Sequence, residues 1–291
     1  MSQRVLRHTE RGGHGIDGAG VHLRRVLGNH TVEMFDPFLM LDGFDSTDPN
    51  DYIKGFPFHP HRGIETVTYL ISGDIEHQDG LGNKGSINDL CCQWMTAGSG
   101  IIHQEMPRAV PRMLGLQLWV NLPQKDKMAN PAYGDIRAED IPVVQEENAE
   151  IRVLSGNYKN VQGAFQGKYV SVRYLDVKLN PDAQWSFDGA KNKETLFLYL
   201  IDGNLAGDKN LTQFEDKACA MLFEAHNQNP EEHDRVIVKA GKDGARFMLL
   251  SAEPLREDVA WGGPIVMNTR EELRQAFREL EEGTFIKHTA A

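Results

Sequence analysis

Three cysteines in 291 residues are too few for a disulfide framework. Two of them, Cys91 and Cys92, are neighbours, a spacing that strains any bridge between them. A small disulfide-stapled fold is thereby excluded, and a reducing, cytoplasmic setting is expected. No apolar stretch reaches membrane-spanning length, so no membrane association is expected. The opening residues MSQRVLRHTERGGHGIDGAG carry charges but no apolar segment after them, so a secretory signal is not expected either. No run rich in Lys or Arg appears, and Asp plus Glu outnumber Lys plus Arg by 42 to 31, for a net charge of −11. Such a surface repels polyanions, so direct nucleic-acid binding is not expected, whereas a protein partner remains open.

What is present is a globular composition, 40% hydrophobic, with enough apolar material for one or two domains. The stretches VEMFDPFLMLDGF, IETVTYLISG, SINDLCCQWMTAG, RMLGLQLWVNLP, YVSVRYLDVKL, ETLFLYLIDG, RVIVKAG and RFMLLSAE are rich in β-branched, aromatic and leucine residues. Gly, Asn, Asp and Pro punctuate them, the pattern of an all-β sandwich or barrel. From Pro123 to about Gln145 strand patterning fades and prolines and charges accumulate, which predicts a surface linker with a domain boundary nearby. One helix is predicted near 269–282. Thr269 and Glu272 have capping-box spacing, Leu273, Phe277 and Leu280 form an apolar stripe, and Gly283 is a stop.

The chain also resembles itself. TYLISGDIEHQDG from Thr68 matches LYLIDGNLAGDKN from Leu198, aligning Tyr69 with Tyr199 and Gly73 with Gly203. A second match sets TAGSGIIHQEM beside KAGKDGARFML. On these alignments His59, His61, His103 and Glu105 fall opposite Gly189, Lys191, Arg246 and Met248. Two related β-domains are expected, with the polar set confined to the first.

That polar set has a chemical reading. In FHPHRG, His59 and His61 flank one proline, and in a strand residues i and i+2 share a face. Pro60 fixes φ and holds the residue before it extended, stiffening the pair. His103 and Glu105, in HQE, repeat the alternation. Two such strands brought together would offer three imidazoles and a carboxylate to one cation, leaving positions open on an octahedral metal. Closed structural zinc sites favour cysteine thiolates, and the cysteines here lack that spacing. Glu65, four residues after His61, is an alternative carboxylate, unless Gly63 introduces a bulge that turns it away.

FHPHRGIETVTYLISG, QWMTAGSGIIHQEMP, GLQLWVNLP and EPLREDVAWGGPIVMNTREEL resemble the pirin family, a branch of the cupin superfamily. The resemblance implies two tandem cupin-type β-barrels with a short C-terminal helix. It places a metal-binding domain at 1–130 and a cupin-like domain without metal ligands at 131–291. It implies Fe(II) as the usual metal, while the donor set itself leaves Mn, Ni, Cu, Co or Zn as alternatives. It maps the ligands onto His59, His61, His103 and Glu105 and leaves Glu65 as a supporting residue. Implied function is a quercetin 2,3-dioxygenase-like oxidoreductase acting on a small aromatic substrate, with Glu105, or Glu65 in reserve, accepting a proton. The alternative is an iron-dependent regulator acting through a protein partner, as a transcriptional co-regulator or a modulator of a metabolic enzyme.

Overall fold

The computed structural model describes residues 2–80, 82–225, 229–230 and 232–288. Among the described residues the fold is all-β apart from short 3-10 turns, one helical turn and one C-terminal helix. No helix among the described residues is long and apolar enough to cross a membrane.

Two compact units divide the chain, and they are interleaved in sequence. One comprises 13–138 with the C-terminal stretch from Leu255; the other comprises the N-terminal stretch to Gly12 with 139–254. The expected blocks, 1–130 and 131–291, are therefore contiguous where the units are not. The C-terminal helix packs within the first unit, beside Ile265, Met267 and Phe285. Composition marks where strand patterning fades, but strand pairing is non-local, and it decides which segments belong together. Part of the expected linker is itself strand, since Ala132–Ile136 pairs with Cys92–Thr96.

In the first unit a seven-stranded antiparallel sheet runs in the order Ala132–Ile136, Cys92–Thr96, Ile64–Ser72, Met113–Asn121, Phe38–Ser46, Val21–Leu27, Gly13–Asp17. A four-stranded sheet, Phe56–His61, Ile101–Pro107, Ile75–Asp79, Lys84–Ile87, closes over it. The second unit repeats the arrangement as Val5–Arg11, Cys219–Glu224, Thr195–Ala206, Val236–Ala252, Arg173–Leu179, Ala149–Ser155, Val143–Gln145. Gln184–Phe187 pairs with the first half of the long strand Val236–Ala252. RVIVKAG and RFMLLSAE, separate in the sequence pattern, are thus one strand of 17 residues. The segment VEMFDPFLMLDGF begins with a helical turn, Val32–Phe35, and is strand only from Phe38.

The C-terminal helix spans Arg270–Glu281 and has the expected caps. Glu272 N donates to Thr269 Oγ1 at 3.2 Å, and Thr269 N donates to the Glu272 carboxylate at 2.8 Å. Gly283 ends it at φ +70°, a left-handed position suited to glycine. The expected stripe holds at Leu273 and Leu280, which pack against the buried cluster, but not at Phe277. Ala276 is its fully buried centre, while Phe277 remains 39% exposed.

Arg62 fastens this segment to the barrel. Its buried guanidinium donates to Ser99 O at 2.7 Å and Phe285 O at 2.8 Å, sits 4.1 Å from the Phe285 ring centre, and pairs with Glu279 at 2.8 Å. Burial works to raise the Glu279 carboxyl, but hydrogen bonds from Lys287, Gln275 and Arg62 outweigh it and hold the group at about 2. Arg62→Ala leaves acceptors and a carboxylate without their cation and is expected to destabilise the first unit by about 3 kcal/mol, read by denaturant unfolding. Because Glu279 is depressed in the folded state, its contribution is present above the ordinary glutamate range and is lost as pH falls toward about 2. The difference between wild type and Arg62→Ala should accordingly shrink on acidification over that window.

Candidate metal centre

The antiparallel pairing of Phe56–His61 with Ile101–Pro107 sets His103 directly opposite His59, with His61 opposite Ile101. Phe56–His61 is the outer strand of its sheet, where its two prolines cost no ladder bonds on the free side. The result is the expected convergence of imidazoles. Ligand atoms of His59, His61 and His103 all lie within 4.8 Å of one another, the one such group of three among the described residues.

The tautomers are set by carbonyls. The Nδ1–H of His59 donates to Pro57 O at 2.9 Å, and that of His61 to Pro264 O at 3.2 Å. Each leaves Nε2 as the inward lone pair, and these two atoms stand 3.0 Å apart. Two nitrogens bound at right angles to a shared cation at about 2.1 Å would be about 3.0 Å apart, whereas a tetrahedral angle would need about 3.4 Å. His103 is buried, and neither of its ring nitrogens has a hydrogen-bond partner. Leaving such groups unmatched costs about 1–3 kcal/mol each, and a bound cation removes that cost at the nitrogen that carries the lone pair. Burial, then repulsion from His59, pulls His61 down to about 3; burial and the neighbouring imidazoles push His103 well below its ordinary value. Both rings are therefore neutral near pH 7, the state that ligates metal. The donor set fits a divalent cation of the imidazole-binding kind.

The expected carboxylates part company. Glu105 is buried and lines the cavity at the histidines, but its carboxylate lies outside the close group. Its Oε1 is 3.3 Å from Thr68 Oγ1, and burial pushes its carboxyl up against the opposing pull of His59 and of Thr68. Glu65 stands elsewhere. Gly63 adopts φ +78°, and the chain breaks between the strands Phe56–His61 and Ile64–Ser72, so the parity counted from His61 does not carry through. Glu65 is three residues from Thr68 in a continuous strand and faces the opposite side of the sheet. There it accepts from Thr96 Oγ1 at 2.7 Å.

A cavity of about 610 Å³ opens onto the site. His59, His61, Glu105 and Gln117 line it, with Trp119 and Trp261, whose rings are 5.8 Å apart. Trp261 and Pro264 arrive from the C-terminal segment, and sequence spacing carries no signal for that return. Behind Glu105, His77 is a further buried imidazole. It lies opposite Glu105 in the sheet, accepts from Gln93 Nε2 at 2.7 Å and stacks on Tyr133 at 5.9 Å. Its place in GDIEHQDG, on the same face as Ile75 and Asp79, was the available clue.

The second unit has the same frame without the donors, although the residues differ from those the internal repeat predicts. The match of Tyr69 with Tyr199 and Gly73 with Gly203 holds for the central strands. From that anchor the strand registers place Phe187, Val236 and Val238 where the first unit has His59, His103 and Glu105. Gly189, Arg246 and Met248 do not occupy those places. The second alignment slipped because ARFML lies in the half of the long strand that corresponds to Met113–Asn121, not to Ile101–Pro107. Aromatic rings occupy this end of the second unit. Tyr158, Trp185 and Phe187 lie with centroids 6.1–6.2 Å apart and planes within 19°.

Fold and site together define a bicupin, two β-barrels in tandem of which the first gathers three histidines into a candidate metal site. Residues 20–120 match the pirin family model and residues 174–286 match the model of the pirin C-terminal cupin domain. The chain belongs to the pirin family. It is 40% identical over 272 residues to a pirin-like protein of Caulobacter vibrioides, covering 92% of this chain and 94% of that one. It is 38% identical over 273 residues to human pirin, covering 92% and 90%. Among solved structures it resembles a quercetin 2,3-dioxygenase from Acinetobacter baumannii, with TM-score 0.86, 26% identity and coverage of 98% of this chain and 99% of that one.

His103→Ala is expected to lower metal affinity by at least about tenfold, seen as loss of metal from protein purified without added metal and loss of the metal-induced rise in Tm. Glu65→Gln, on the far face of the sheet, should retain its metal.

Proposed function

We propose that the protein is a metal-dependent dioxygenase acting on a flavonol such as quercetin, with Fe(II) held by His59, His61, His103 and Glu105. The observation that carries this reading is the buried, unpartnered His103 ring beside two carbonyl-oriented imidazoles at the foot of a cavity lined with tryptophan. The resemblance to the Acinetobacter baumannii quercetin 2,3-dioxygenase supports the choice of chemistry and substrate. Bound there, the metal would supply Lewis acidity toward a substrate hydroxyl and a meeting point for that substrate and dioxygen.

The chain's own residues do the rest. Trp119 and Trp261 present flat apolar surface that suits a planar aromatic. The cavity walls would confine such a substrate and limit the orientations it can take over the histidines. Glu105 serves in two ways. Turned toward the histidines it is the fourth ligand; held by Thr68 it is a buried carboxylate of raised proton affinity, placed to take the substrate's hydroxyl proton at its Oε atoms.

Protein loaded anaerobically with Fe(II), then given quercetin and air, should consume dioxygen, open the flavonol ring and release carbon monoxide. Glu105→Gln should retain most of its metal while its turnover falls about 10²-fold or more. No ring opening with any first-row metal would overturn the proposal.

A further inference from the structure

The first unit carries an unbroken polar rung across its large sheet, buried in the middle and exposed at its two ends. Arg25 pairs opposite Asp42, Asp42 opposite Gln117, Gln117 opposite Thr68, Thr68 opposite Gln93, and Gln93 opposite Asp135. Directly opposed residues share a face, so six adjacent strands present six polar side chains in one line. Asp42, Gln117, Thr68 and Gln93 are buried. The second unit shows that the fold does not require this. With Tyr69 matched to Tyr199, the same rung there reads Val153, Leu175, Leu249, Leu198 and Met221, ending at Thr9. Its first five members are fully buried. Burying polar groups where apolar ones serve is costly unless the groups are used.

Half of this rung faces the cavity. Arg25, Asp42 and Gln117 line it together with the histidines. Arg25 holds Asp42 in a two-point pairing, Nε to Oδ1 at 3.0 Å and Nη2 to Oδ2 at 2.7 Å, and Nη2 also reaches Asp17 Oδ2 at 2.7 Å. One guanidinium between two carboxylates leaves the cluster net negative. It does not attract an anionic substituent, but carboxylate oxygens with lone pairs to spare accept hydrogen bonds from hydroxyls. Thr68, which touches Glu105, is three strands from Arg25, about 14 Å. That span matches a three-ring planar ligand lying lengthwise with one end at the metal centre.

We propose that Arg25, Asp42 and Gln117 determine specificity by reading hydroxyl groups on the part of a planar, polyhydroxylated aromatic that lies away from the metal centre. This rests on the flavonol reading of the site. The rung residues can be replaced by their counterparts in the second unit, where the equivalent frame carries them. Removing Arg25 and Asp42 together avoids leaving a buried charge unpaired.

The test is anaerobic binding to the metal-loaded protein, followed by quenching of the cavity tryptophans. The ligands are quercetin and 3-hydroxyflavone, which keeps the metal-facing groups but lacks the other hydroxyls. Wild type should prefer quercetin by at least about tenfold. In the Arg25→Val/Asp42→Leu double variant the ratio should fall to within about threefold of unity, with the loss falling on quercetin. Should that variant not fold, as judged by metal content and circular dichroism, Gln117→Leu alone should reduce the ratio about threefold or more. Equal wild-type affinity for the two ligands, or a preference that survives in the folded variants, overturns the assignment alone. Absence of binding of either flavonol to wild type overturns the flavonol reading, and the assignment with it.

Discussion

The antiparallel pairing that sets His59 opposite His103 is the contact on which the site depends. It joins an edge strand to its neighbour, and without it three imidazoles from sequence positions 59, 61 and 103 have no reason to meet. The C-terminal segment reinforces that pairing at several points. Pro264 O orients His61, Val266 N donates to Arg62 O at 3.0 Å, and Arg62 reaches Phe285 and Glu279. Lys127 Nζ bridges Gly63 O at 2.8 Å and Val266 O at 3.0 Å. The carbonyls of Arg62 and Gly63 are thus each held by a hydrogen bond, which restricts how the neighbouring histidines can move.

The second unit acts as an internal control for what the fold itself demands. Strand order is the same, and the central strands align by residue. Where the first unit has His59, His103 and Glu105, the second has Phe187, Val236 and Val238. Where the first has a polar rung, the second has aliphatic side chains. A barrel of this design is content with an apolar interior, since apolar burial is its main source of stability. The polar residues of the first unit are a departure from that optimum, and several of them line one cavity, the pattern of a site where stability yields to function.

Glu105 illustrates how the interior tunes a single group. Thr68 Oγ1 lies 2.5 Å from Gln117 Oε1 and 3.3 Å from Glu105 Oε1. A hydroxyl has one proton, so at any moment it donates to one of these acceptors. The glutamate is thereby only loosely restrained, and its neighbourhood is dry enough to raise its proton affinity. This loosely held carboxylate stands beside two imidazoles that carbonyls orient and a third, His103, that burial alone holds.

The sequence by itself determined whatever rests on local geometry. The alternation in FHPH and HQE put paired donors on one face of each strand, and the Thr269–Glu272 box with Gly283 bounded the helix. These hold because strand parity and helix capping are set within a few residues of chain. Only the tertiary structure decided the rest. It turned Glu65 to the far side of its sheet after Gly63, and it centred the helix stripe on Ala276 while leaving Phe277 exposed. It set the repeat's true register, and it drew the C-terminal segment back to the first barrel. Each of these depends on which strand pairs with which and on which neighbour covers a face. That information belongs to contacts between residues far apart in the chain, and no window of sequence contains both partners.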